Sequence, residues 1–122
     1  MTAHPAVRIL VAVVAAAGLA AAASQAEAHA RLVSAAPAAN AKVAAPKTIT
    51  LTFSEKLAPK FSGGDLMKAD GATVAVVSVA AGKTVSLTLA HPLAPGGYMV
   101  MWHAVAADDG HRTQGSYNFT AR

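Results

Sequence analysis

The sequence predicts an all-β domain: an antiparallel β-sandwich of Greek-key type with about seven strands, following a cleaved N-terminal signal peptide. Apolar and polar residues alternate along much of residues 29–122, which is the pattern of strands with one buried face. Turn-forming residues separate these stretches at short intervals, as in β-sandwiches. No stretch there keeps a helical period, so we expect little helix outside the signal segment.

The first 28 residues have the features of a secretory signal. Arg8 supplies a basic start, residues 9–23 are apolar, and the small-x-small triplet Ala26-Glu27-Ala28 is the predicted cleavage site. The apolar stretch is shorter than the roughly 20 residues that a membrane span needs, although an uncleaved anchor is the alternative. No twin-arginine pair precedes it, so we expect general export to the periplasm. The predicted units are a signal peptide, 1–28, and a single domain, 29–122.

The composition argues against some classes of function for the exported domain. Removing Arg8 and Glu27 with the signal leaves the net charge at +4, spread evenly over the chain. No basic run with interleaved aromatic residues is present, which argues against a nucleic-acid partner. The chain has no cysteine, so an exported domain of this size must be stabilised by its hydrophobic core. No second segment is apolar and long enough to span a membrane.

The strand at 47–54 is predicted most clearly, because Ile49, Leu51 and Phe53 alternate with threonines. Asp70-Gly71 and residues 94–97 are turn signals. Tyr98, Val100, Trp102 and Ala104 alternate in the same way and share a face, so Trp102 is expected in the core. The remaining predicted strands cover residues 73–79, 84–89, 98–104 and 115–121, with short ones near 31–35 and 65–69.

Cleavage after Ala28 would make His29 the first residue of the exported protein. Its free α-amine and its ring Nδ1 could then close a six-membered chelate on a metal ion. An internal histidine cannot do this, because its backbone nitrogen is an amide. The alternative is that His29 binds no metal and is only the residue that follows the cleavage site.

Asp109 and His111 form a second candidate pair. Residues two apart on extended backbone project to the same side, and Gly110 allows a bend between them. With His29 they make three nitrogen donors and one oxygen donor, a set that suits one tetragonal Cu(II) ion, whereas zinc prefers tetrahedral sites. A plain surface turn is the alternative, and a bulge would exchange Asp109 for Asp108.

Glu55 continues the alternation of the 47–54 strand and is predicted either to orient a metal ligand by a hydrogen bond or to reach solvent as a strand-end charge. His103 is predicted to be a solvated strand residue and His91 a loop residue, while His4 leaves with the signal. Methionine sulfurs would select Cu(I) if they were clustered, but Met67, Met99 and Met101 are scattered in the sequence and are expected to serve packing or to lie on the surface.

Three segments together resemble the CopC family of bacterial periplasmic copper-binding proteins. They are HARLVSAAPA at 29–38, TITLTFSE at 48–55 and YMVMWHAVAADDGHRTQGSYNF at 98–119. The resemblance implies an immunoglobulin-like or cupredoxin-like sandwich and a Cu(II) site at His29, Asp109 and His111, with Glu55 close by. It also implies a role in copper resistance or uptake beside a separate inner-membrane protein similar to CopD.

The chain departs from those family members that carry a methionine-rich Cu(I) loop, because only Met67 falls between Pro59 and Asp70. The resemblance therefore implies a Cu(II)-only form. The leading functional prediction is a copper carrier or buffer without catalytic turnover. The alternatives are a copper oxygenase that uses the same terminal-histidine chelate on a polysaccharide, and an exported interaction module that binds no metal.

Overall fold

The computed structural model describes residues 29–122, which form two packed β-sheets. The predicted signal peptide lies outside the described residues. The strands are β1 (Leu32–Ala36), β2 (Lys42–Val43), β3 (Thr48–Phe53), β4 (Gly63–Lys68), β5 (Thr73–Val74), β6 (Val76–Ala81), β7 (Thr84–Leu89), β8 (Gly96–Val105) and β9 (Arg112–Ala121). The first sheet has the order β1-β3-β7-β6 and the second has the order β2-β9-β8-β4-β5.

The prediction of an all-β Greek-key sandwich is confirmed. Within the described part of the chain, the helical structure is a single 3₁₀ turn at Pro59–Phe61. All strand pairs are antiparallel except that of β2 with β9, which is parallel. No helix within residues 29–122 is long and apolar enough to cross a membrane.

Several strands differ from their predicted extents, and β2 was not predicted. The valine-rich stretch at 73–79 is divided at Ala75 into β5, which belongs to the second sheet, and β6, which belongs to the first. The predicted last strand begins earlier, at Arg112, because all ten residues of β8 pair with β9. Alternation in the sequence cannot show such changes, since they depend on which strand lies alongside.

The core lies between the inner faces of the two sheets. The clear alternation of β3 places Ile49, Leu51 and Phe53 there, each at most 1% exposed. At about 25 cal/mol per Å² of buried apolar surface, these side chains are a principal source of stability. No charged or polar residue is fully buried among residues 29–122. The other large fully buried side chains are Leu57, Leu66, Val85, Leu87, Val100 and Phe119.

Trp102 packs against the core but is only partly buried, which modifies the prediction of a core position. Its ring meets the ring of Phe53 edge-on, with centroids 5.2 Å apart. Gly115 lies opposite Trp102 on β9. A Cβ atom at Gly115 would lie 2.6 Å from Cζ2 of the indole, so glycine is needed for the ring to lie there.

Candidate metal site

Three segments meet at one end of the sandwich: residues 29–31, the bend after β3, and the loop between β8 and β9. Ala107 N donates a hydrogen bond of 2.8 Å to the carbonyl of Lys56, which joins the loop to the residues after β3. The candidate site is therefore built from parts far apart in sequence and held by both sheets.

The segment before β1 is fixed by hydrogen bonds to both sheets. Ala30 is 1% exposed, and its carbonyl accepts a 2.7 Å hydrogen bond from the hydroxyl of Thr113 on β9. Arg31 N donates to Ser54 Oγ at 3.0 Å, and Ser54 N donates to the Arg31 carbonyl at 2.9 Å. His29 is thus attached to a rigid framework through the next two residues.

Sequence reasoning assigned no role to Thr113 or Ser54. Both residues act as anchors for the segment that carries His29, across sequence separations of 83 and 23 residues respectively. No local pattern could reveal contacts of this kind, because threonine and serine are also ordinary surface residues of strands.

The β8–β9 loop brings Asp109 towards His111. The backbone N–H of His111 donates to Asp109 Oδ1 at 3.0 Å, and Gly110 N donates to the carbonyl of Ala106 at 3.0 Å. Gly110 has φ +70°, a left-handed conformation that glycine adopts without steric cost. The two side chains converge through a turn and not through the strand alternation that the sequence analysis used.

The side chains of His29, Asp109 and His111 lie together, with one potential ligand atom from each within 4.8 Å of the others. Asp109 Oδ2 is 3.8 Å from His29 Nδ1 and 3.5 Å from His111 Nδ1. Two donors on one ion, each at about 2.0–2.2 Å, lie at most about 4.4 Å apart, and both distances to Asp109 Oδ2 are within that limit. The group contains Asp109 and does not contain Asp108.

His29 Nδ1 is buried and has no hydrogen-bond partner among the described residues. A buried polar nitrogen without a partner costs free energy, and a metal ion is one way to satisfy it. The centroids of the His29 and His111 rings are 4.7 Å apart, and the ring planes are tilted by 47° to one another. The side chains remain 45%, 28% and 65% exposed for His29, Asp109 and His111, so an ion there would be reachable from solvent.

The other candidates lie outside this group. β3 ends at Phe53 and Glu55 lies in a bend, so strand alternation does not determine its direction; its predicted orienting role stays a prediction. His103 lies on β8 opposite Gly63 and Gln114, and it is partly buried, not solvated. His91 is exposed in the segment between β7 and β8.

The chain was also compared with known proteins. A family model described as the CopC domain matches residues 32–122. Protein YobA of Escherichia coli strain K12 is 40% identical over 100 residues, covering 78% of this chain and 80% of that protein. Copper resistance protein C of E. coli is 37% identical over 105 residues, covering 78% of this chain and 82% of that protein.

A solved structure gives the same result at the level of the fold. The crystal structure of PcoC, described as a methionine-rich copper resistance protein from E. coli, superposes with a TM-score of 0.72 at 38% identity, covering 78% of this chain and all of that one. Family model, curated relatives and solved structure agree with the resemblance read from the sequence. This chain belongs to the CopC family.

Proposed function

We propose that this chain is an exported Cu(II)-binding protein that acts in copper homeostasis or resistance as a carrier or buffer. The observation that carries the proposal is the approach of His29 and His111 to one carboxylate oxygen of Asp109, at 3.8 and 3.5 Å. The names of its relatives as copper resistance proteins support copper as the metal.

The proposed donors are the α-amine and Nδ1 of His29, a carboxylate oxygen of Asp109 and the imidazole of His111, holding one ion per chain. Three nitrogens and one oxygen favour Cu(II) in a tetragonal arrangement. The amine becomes a donor only after cleavage between Ala28 and His29. Glu55 is proposed as a hydrogen-bond acceptor that orients a ligand from outside this set.

The exposure of the three side chains supports a transfer role, which we propose proceeds without catalytic turnover. A partner can reach the ion at the surface, and the proposed setting is the periplasm, with a CopD-like inner-membrane protein as acceptor. A buffer with no partner needs the same site. Both roles predict reversible binding that weakens in acid, because amine and imidazole nitrogens must be unprotonated to bind a metal.

The test is a Cu(II) titration read by electron paramagnetic resonance on two forms of residues 29–122. One form begins at His29 with a free amine, and the other carries one added glycine before it. We expect the first to bind one ion with a tetragonal, nitrogen-rich spectrum. The second should bind more weakly, by about 10-fold or more, with a changed spectrum.

Two variants make the experiment specific. His111→Asn removes one proposed donor and should weaken binding strongly, whereas His91→Asn changes an exposed histidine outside the group and should have no effect. Glu55→Gln should weaken binding less than His111→Asn does. Identical titrations for the free-amine and glycine-extended forms would contradict the proposed site.

The oxygenase alternative uses the same chelate and needs a separate assay. The copper-loaded protein would be incubated with a polysaccharide and peroxide, and soluble oxidised products would be measured. The proposal predicts none above free copper. Polysaccharide cleavage that requires both His29 and His111 would show that the protein is an enzyme and not a carrier.

A further inference from the structure

The three methionines within residues 29–122 are scattered in sequence but share one face of the second sheet. Met67 lies on β4 directly opposite Met99 on β8, and Met101 follows two positions after Met99. Residues two apart on a strand, and residues opposite each other on neighbouring strands, project to the same side. The strand register therefore brings together side chains that are scattered in the sequence.

This face is the outer one. Tyr98 and Val100, which alternate with the methionines along β8, are buried in the core, so the methionines point away from it. Met99 is 36% exposed, and Met67 and Met101 are partly buried. Two shallow grooves of about 360 and 420 Å³ flank this face, the first lined in part by Met67 and Met99, and the second by Met101 and Asp65.

The geometry points to a second metal site, which we propose is a Cu(I) site made of the thioether sulfurs of Met67, Met99 and Met101. Directly opposed side chains have Cβ atoms about 4.5–5.5 Å apart, and methionine has three rotatable bonds beyond its backbone, so three sulfurs on adjacent positions can turn towards one ion. Thioethers are soft ligands that select Cu(I) over Cu(II).

Charged side chains of both signs border this face. Asp65 lies opposite Met101 in the strand register, where its carboxylate offsets part of the charge of a bound ion, and Arg112 lines the same groove as Met101. His103 follows Met101 by two positions on the same face of β8 and lines the same groove as Met101 and Asp65.

The site differs in place and construction from a methionine-rich loop. Its donors lie within two neighbouring strands in the middle of a five-stranded sheet, so the backbone is rigid and only side chains need to move. It also differs in ligand chemistry from the proposed Cu(II) site of His29, Asp109 and His111, and the two sites share no residue. The proposal replaces the Cu(II)-only expectation with two sites of different preference.

The test uses residues 29–122, which contain all nine strands and the whole described core. Methionine labelled with ¹³C in its ε-methyl group gives three signals, one for each proposed ligand. Ag(I), which is soft and does not change oxidation state, is added first. Cu(I) is then titrated anaerobically against a coloured Cu(I) chelator to obtain the affinity.

We expect all three methyl signals to shift and to saturate at one equivalent of Ag(I). Met99→Leu and Met101→Leu should each weaken Cu(I) binding by about 10-fold or more, because loss of a group that merely supports a metal ligand already costs about 10–100-fold. Leucine is close to methionine in volume, so the fold should be kept, and the thermal unfolding midpoint checks this.

His111→Asn is the control, and it should leave the Cu(I) affinity unchanged. Failure of the Cu(II) proposal would not affect this result, since the two sites share no ligand. Methyl signals that do not move, or Met→Leu variants within about twofold of the parent protein, would overturn the proposed site.

Discussion

At the scale of single residues, Tyr117 carries an unsatisfied hydroxyl. Its oxygen is buried without a hydrogen-bond partner among the described residues, on the inner face of β9 opposite Val100. Burial raises the pKa of Tyr117 from 10.0 to about 12, because the phenolate would lose hydration. Tyr98 is different, since its hydroxyl donates a 2.6 Å hydrogen bond to the Ala94 carbonyl.

These two tyrosines give a matched pair of substitutions. Tyr117→Phe removes a buried group without a partner and should stabilise the domain by about 1 kcal/mol, whereas Tyr98→Phe breaks a hydrogen bond and should destabilise it by about 1 kcal/mol. Chemical denaturation at neutral pH measures both. Equal effects of the two substitutions would contradict the difference in hydrogen bonding between the Tyr117 and Tyr98 hydroxyls.

The raised pKa of Tyr117 also predicts how stability depends on pH. The folded state holds the phenol proton more tightly than the unfolded state does. Below about pH 10 the phenol is protonated in both states, so Tyr117 does not make the free energy of unfolding depend on pH there. Stability should then fall as the pH rises from about 10 to about 12, when the unfolded chain ionises first. Denaturation at several alkaline pH values tests this, and Tyr117→Phe should make the fall shallower.

At the scale of elements, the β8–β9 turn depends on Gly110. Gly110 has φ +70° and Gly71, in the β4–β5 turn, has φ +93°, and neither has a neighbouring atom where a Cβ would lie. Alanine at either position should therefore lower the free energy of unfolding by about 1–2 kcal/mol, because a residue with a Cβ atom is strained in the left-handed conformation. Gly110→Ala should also disturb the approach of Asp109 to His111.

We expect both alanine variants to lose similar stability, but only Gly110→Ala to weaken Cu(II) binding. Thermal unfolding without metal and a Cu(II) titration separate the two effects. A Gly71→Ala variant that loses Cu(II) affinity to the same extent would show that general destabilisation, and not the turn, is responsible.

The elements also show how far sequence reasoning reaches. Alternation within one strand identified β3, β7 and β8 because that signal is local to the strand. It did not show that residues 73–79 divide between two sheets, since that depends on packing partners. The meeting of Asp109 and His111 was predicted for the wrong reason, strand alternation, when a turn produces it. The shared face of the methionines could not be predicted without the register of β4 against β8.

At the scale of the whole molecule, the proposed Cu(II) site, made of His29, Asp109 and His111, joins the start of the domain to the β8–β9 loop. Binding to the folded state alone stabilises it by about 2.7 kcal/mol when free ligand is about 100 times Kd. We therefore expect one equivalent of Cu(II) to raise the unfolding midpoint of the form that begins at His29. The increase should be lost in His111→Asn and reversed by a chelator.

The same stabilisation should disappear in acid. Protons compete with the ion for amine and imidazole nitrogens, so the Cu(II)-dependent increase should be large at about pH 7 and small at about pH 5. Unfolding curves with and without Cu(II) at both pH values measure this. An increase that survives unchanged at the lower pH would require a donor set other than the one proposed.

Trp102 is the only tryptophan in the chain, and its indole is fixed between Phe53 and the glycine at 115. β8, which carries it, leads directly into the loop of Asp109 and His111. Paramagnetic ions such as Cu(II) quench indole emission at short range. The domain thus contains a single indole fluorophore on the strand that leads to the proposed Cu(II) site, and its emission intensity can be followed as copper is added. Loading and unloading can be timed in a stopped-flow instrument on the unlabelled protein.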